Sequence, residues 1–167
     1  MITYIQSKIG YWIIGCISVG VFILIGILIY LNLSPSYANK TSREIVQLCT
    51  PDMATEFHIH PHLDIVINGQ KQVIPADIGV ESSCDHPIHT HDDSGTIHVE
   101  SPVMKDFTLA DFFFVWNKTF SKDQILDTKV DENHIIKETI NGQESQDYEN
   151  TVLHDKDQII ILYELKK

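Results

Sequence analysis

The stretch HPIHTHDDSGTIHVE, residues 86–100, packs four histidines, two adjacent aspartates and a glutamate into fifteen positions. Imidazole and carboxylate side chains at this density are the donor set of a metal site. If Asp92–Gly95 forms the connection of an antiparallel hairpin, His91 opposes Thr96, His89 opposes His98 and Pro87 opposes Glu100. Opposed residues share a face, so His89, His91, Thr96, His98 and Glu100 project together while Ile88, Ile97 and Val99 turn to the core. A slip of one residue would set histidines against Ile97 and Val99, so the apolar pattern selects the register that gathers the imidazoles. H-x-H on one strand with a third His across from it brings three rings within reach of one ion at nitrogen–metal distances near 2.0–2.1 Å. Asp92, Asp93 or Glu100 can add a ligand or orient a ring nitrogen.

A second row stands upstream in FHIHPHLDIVIN, residues 57–68. Phe57, Ile59, Pro61, Leu63, Ile65 and Ile67 alternate with His58, His60, His62, Asp64 and Asn68, Val66 being the exception, the period-two mark of a half-buried strand. Seven of the nine histidines fall between positions 58 and 98. The expected metal-binding set is His58, His60, His62, His89, His91 and His98. If the two rows lie on neighbouring strands they line one pocket; otherwise they are two sites. Imidazole ligation outside the cytoplasm favours copper(II), then zinc(II). There is no C-x-x-C for a structural zinc finger and no H-E-x-x-H for a zincin protease. No methionine is close enough in sequence to mark a blue-copper axial ligand. Ser94 lacks the setting of a nucleophile elbow. His86, His134 and His154 read as turn or strand-edge residues.

The elements around these rows set the fold class. Asn68-Gly69 is a hairpin turn, and QKQVIPADIGV returns with Pro75 at an edge or strand end. TLADFFFVWNKTF, residues 108–120, reads as a helix with Thr108 and Asp111 at capping spacing and Phe112, Phe113 and Trp116 on the core side. HIIKETINGQESQDYEN gives another strand–Asn-Gly–strand unit, echoing IVINGQKQ, and residues 158–165 form a strongly apolar closing strand. The expected fold is α+β: a mostly antiparallel β domain over 51–167 with one covering helix and a β-grasp-like C-terminal half.

The chain has 167 residues, three cysteines and a formal net charge of −11. Acidity argues against nucleic acid as partner. Residues 10–33, GYWIIGCISVGVFILIGILIYLNL, carry no charge. At about 1.5 Å rise per residue they span a hydrocarbon core of roughly 30 Å. The reading is a transmembrane signal anchor at 10–33, with 1–9 cytoplasmic, 34–50 a linker and the His-rich domain outside the cytoplasm. A cleaved signal peptide and a buried core helix are the alternatives. In that compartment Cys49 and Cys84 can pair as a disulfide; the alternatives are two free thiols, or Cys84 as a metal ligand.

HIHPHLDIVINGQ, HTHDDSGTIHVESP and TLADFFFVWNKTF together resemble a family of uncharacterised bacterial and archaeal proteins with an N-terminal anchor. That family's signature is an H-x-H-x-H-L strand, an HTHD-x-SG-x-IHVE hairpin and a TL-x-x-F-F helix, and the likeness covers most of 57–165. It implies that His58, His60, His62, His89, His91, Asp92, His98 and Glu100 are defining positions, and it implies no activity. Three functions follow from the residues. The first is a membrane-anchored metal binder acting as carrier, buffer or accessory subunit of a membrane metalloenzyme. The second is a three-histidine metal enzyme for hydration or hydrolysis. The third is a metal-free interaction module.

Overall fold

The structure, a computed structural model, describes residues 20–28, 37–49 and 55–166. The chain divides into two compact units, Met1–Ser36 and Tyr37–Lys167. In the first, residues 20–28 are helical and expose Phe22, Ile23 and Leu24. The rest of the anchor expected at 10–33 lies outside the described residues. Among the described residues, no helix is long and apolar enough to cross a membrane.

The second unit is mostly antiparallel β-structure with few helices. It opens with helix α1 (Ser42–Val46), followed by strands β1 (Phe57–Ile59), β2 (His62–Ile67), β3 (Gln70–Gln72), β4 (Val80–Glu81), β5 (Cys84–Asp85), β6 (Ile88–His89) and β7 (His98–Ser101). Helix α2 (Leu109–Val115) precedes the short strands β8 (Phe120–Ser121), β9 (Gln124–Ile125) and β10 (Thr128–Lys129). The last strands are β11 (His134–Ile140), β12 (Gln143–Ser145) and β13 (Gln158–Leu165), with a 3-10 turn at Tyr148–Asn150 before β13.

The largest sheet has the order β12-β11-β13-β2-β3, and its central pair, β13 with β2, is parallel. Two of its hairpins close on Asn-Gly. Asn68 and Gly69 have φ of 51° and 79°, and Asn141 and Gly142 have φ of 53° and 79°. Those left-handed pairs match the right-handed twist of the flanking strands. Pro75 follows β3, an edge strand, where its missing N–H costs no ladder bond. The sheet does not belong to the C-terminal half alone, because β2 and β3 supply its first hairpin.

Burial follows the expected alternation: Ile59, Leu63 and Ile65 are buried, while His58, His60, His62 and Asp64 keep exposed surface. The run 57–68 is nevertheless two strands. Pro61 has no N–H to donate to a continuing ladder. The neighbouring amides are taken by the 155–157 loop, His60 N donating to Asp155 Oδ1 (3.0 Å) and His62 N to the Asp157 carbonyl (2.8 Å). β1 therefore joins β7 in the sheet β1-β7-β6, whereas β2 enters the five-stranded sheet.

Helix α2 is shorter than the 108–120 expected. Thr108 N donates to Asp111 Oδ2 (3.2 Å), and Arg43 Nε donates to Asp111 Oδ1 (2.8 Å), so a nearly buried carboxylate caps the helix and ties it to α1. Leu109, Phe112 and Phe113 join Leu63, Ile65, Ile88, Val99, Ile159 and Ile161 in one core cluster, with Trp116 packed at its margin. Within the segment expected as linker, α1 forms and its Ile45 and Val46 are fully buried. Cys49 and Cys84 are joined as a disulfide with Cα atoms 5.3 Å apart.

Candidate metal centre

β7 is the middle strand of the three-stranded sheet, and it carries the centre. Its partner β6 pairs Ile88 with Val99 and His89 with His98. Its other partner β1 pairs His58 with Glu100 and Ile59 with Val99. Ile88, Val99 and Ile59 are buried on one face. Period-two alternation then sends His89, His98, Glu100, His58 and His60 to the other. The two histidine rows meet through β7.

The His89–His98 register is the one expected, but the ladder ends there. Thr90 is fully buried; its N–H goes to the Ile78 carbonyl (3.0 Å) and its Oγ1 to the Pro75 carbonyl (2.8 Å), which pulls the chain away from β7. Thr96 is therefore not opposite His91 and forms an isolated bridge with His62. Gly95 permits this crossing. Its φ is +97°, and a Cβ there would lie 2.5 Å from the Leu63 carbonyl oxygen and 3.3 Å from His62 Cε1.

Two groups of donors converge. In one, His89, His91, His98 and Glu100 present ligand atoms that all lie within 4.8 Å of one another; in the other, His58, His60 and His98 do the same. His89 Nε2 is 3.1 Å from His91 Nε2. Four donors held tetrahedrally at about 2.0–2.1 Å from an ion are about 3.3–3.4 Å apart, so this hydrogen-bonded pair need open only slightly to share one. His89 Nδ1 is 2.8 Å from the His86 carbonyl, which can only accept, so Nδ1 carries the proton and Nε2 offers a lone pair toward His91. The His91 ring lies 4.6 Å from that of His98, and His98 stacks on His89 at 5.5 Å. Burial holds the His89 and His98 pKa values below the ordinary imidazole range, and neighbouring imidazoles add to the effect, so both rings are neutral and able to ligate at neutral pH.

The remaining candidates divide. Glu100 Oε1 lies 3.1 Å from His58 Nε2 and 3.8 Å from His98 Nδ1, between the two groups. His60 Nδ1 is 3.7 Å from Asp155 Oδ1. His62 belongs to neither group; its Nε2 faces Asp64 Oδ1 at 3.4 Å, and the same oxygen pairs with Lys71 Nζ at 2.6 Å. Asp92 is exposed and accepts from Ser94 N (2.9 Å), a turn former's bond, and hydrogen bonding from the Ser94 side chain and then its backbone keeps the carboxyl below the usual range. Glu81, His86 and Cys49 also cluster, but Cys49 is bonded to Cys84 and offers no thiolate. His134 pairs with Asp131 (2.8 Å) and stacks on Tyr163, and His154 pairs with Asp157 (3.2 Å).

Sequence reasoning missed two contributors. The His86 carbonyl fixes the His89 tautomer, and backbone acceptors leave no side-chain signal. Asp155 approaches His60 from a loop far along the chain. No family model, curated protein or solved structure matches the chain. Its function is read from these side chains.

Proposed function

We propose that the chain is a membrane-anchored, extracytoplasmic metal-binding protein that holds copper(II) or zinc(II) as a carrier, buffer or accessory subunit of a membrane metalloenzyme. The observation that carries this reading is the His89–His91 pair, with Nε2 atoms 3.1 Å apart and His89 Nδ1 committed to a backbone carbonyl. The two Nε2 atoms share a hydrogen bond here, and an ion that displaced its proton would meet two lone pairs already converging, one of them on a ring oriented from behind. Three imidazoles and a carboxylate form a donor set suited to either ion. The Cys49–Cys84 disulfide supports an oxidising compartment, and the uncharged run 10–33 supports an anchor. In this reading the strand order β3-β2-β13-β11-β12, with α2 between its two hairpins, is a β-grasp-like scaffold, and β1 together with residues 73–107 builds the metal face.

A carrier or buffer is favoured because the donors lie on an open sheet face, where His91 is exposed. The test uses the full untagged chain in detergent, stripped with chelator, reloaded with copper(II) or zinc(II), dialysed and analysed for metal. Retained stoichiometric metal that is lost in His89→Ala/His91→Ala supports the reading. No retained metal in the parent chain refutes it and leaves an interaction surface.

A further inference from the structure

The two donor groups share His98, and a single ion leaves His58 and His60 unused. We propose that this sheet face holds two cations side by side, the first on His89, His91 and His98, the second on His58 and His60, with the Glu100 carboxylate linking them. The inference rests on the metal-binding reading above.

The geometry has three parts. His98 lies between the groups, its ring 4.6 Å from that of His91 on one side and 4.8 Å from that of His60 on the other, the latter edge-on at 89°. His60 is in turn 4.5 Å from His58. The imidazoles thus form a continuous row across three strands, longer than one ion's ligand shell. Glu100 stands where the halves meet. Its Oε1 is 3.1 Å from His58 Nε2 and 3.8 Å from His98 Nδ1, and that nitrogen is buried with no hydrogen-bond partner. One carboxylate oxygen thus stands within reach of a ring nitrogen from each group, the position a group shared by two ions must take. The third part is charge. Two divalent ions repel, and only anionic groups nearby make the pair tolerable. Glu100 lies between the positions and Asp155 Oδ1 stands 3.7 Å from His60 Nδ1 at the outer one, on a chain of net charge −11.

The test is copper(II) titration of the full untagged chain, with metal analysis after dialysis and electron paramagnetic resonance at one and two equivalents. Two coppers per chain are expected, with the spectrum of the second equivalent broadened or reduced in intensity by coupling to the first. His58→Ala/His60→Ala should hold one copper with an uncoupled signal. These side chains are 47% and 42% exposed, so their loss leaves the fold intact, and His58→Gln/His60→Gln provides a second check of the same kind. Glu100→Gln should weaken binding of the second equivalent and reduce the coupling. One copper in both the parent chain and the His58/His60 variants overturns the second site while the metal-binding reading stands. Two uncoupled coppers overturn the shared carboxylate. No copper in the parent chain overturns both.

Discussion

His89 Nε2 faces His91 Nε2 at 3.1 Å while His89 Nδ1 is held 2.8 Å from the His86 carbonyl. One imidazole is thus oriented from behind by the backbone and aimed at its neighbour. Replacing either ring removes a ligand, so His91→Ala is expected to weaken metal binding by more than the roughly 10–100-fold that loss of an outer partner costs. His62→Ala should leave affinity unchanged, because that ring faces Asp64. Competition against a chromophoric chelator reads both, and equal effects would contradict the assignment.

Cys49 and Cys84 close a loop with a sequence separation of 35 and fasten the segment after α1 to the strand leading into the site. By chain entropy a loop of this length stabilises the fold by about 4 kcal/mol. Cys49→Ser/Cys84→Ser is expected to unfold at lower denaturant, and a dithiol reductant should shift the parent chain equally. A variant as stable as the parent would show that the covalent link is dispensable.

Gly95 combines φ of +97° with a Cβ position 2.5 Å from the Leu63 carbonyl oxygen. Gly95→Ala must strain the backbone or push the 92–97 loop off β2, at a cost of about 1–3 kcal/mol. The denaturation midpoint should fall while its slope stays constant. An unchanged midpoint would mean that the loop can cross β2 by another path.

Glu138 is 1% exposed and accepts from Thr151 Oγ1 (2.9 Å) and Tyr148 N (3.0 Å). Burial is the main cause that pushes its pKa up, with nearby Asp147 adding to it. The native state then holds the proton more tightly than the unfolded chain. This stability is complete below the unfolded pKa and is lost as pH rises through the folded one. Asp64, Asp92, Asp131 and Asp155 are shifted down and act in the opposite sense, so the comparison must be with a variant. The stability of Glu138→Gln relative to the parent should grow between acidic and neutral pH. A pH-independent difference would contradict the buried-carboxyl account.

Local signals read well from sequence because their causes are local. The two Asn-Gly turns, the alternation through 57–67, the Thr108–Asp111 cap and the His89–His98 register all depend on residues within a few positions of each other or on one hairpin. What escaped depends on distant partners. Pro61 was legible as an apolar position but not as the point where the chain changes sheets, because the acceptors that hold His60 N and His62 N sit at 155–157. Thr90 gave no sign that its buried hydroxyl would end the ladder before His91 could oppose Thr96. Residues 34–44 are polar and read as linker, with a helical turn before Pro51, but nothing local shows that Ile45 and Val46 are buried and that Arg43 reaches Asp111. The parallel pairing of β13 with β2 joins residues nearly a hundred positions apart.

The most direct measurement is X-ray absorption at the metal edge of the full chain loaded with one equivalent of zinc(II) or copper(II). Coordination by His89, His91 and His98 predicts a first shell of nitrogen and oxygen near 2.0–2.1 Å, with the outer-shell scattering of several imidazole rings that disappears in His89→Ala/His91→Ala. A spectrum matching the hydrated ion, or imidazole scattering unchanged in that variant, would contradict it.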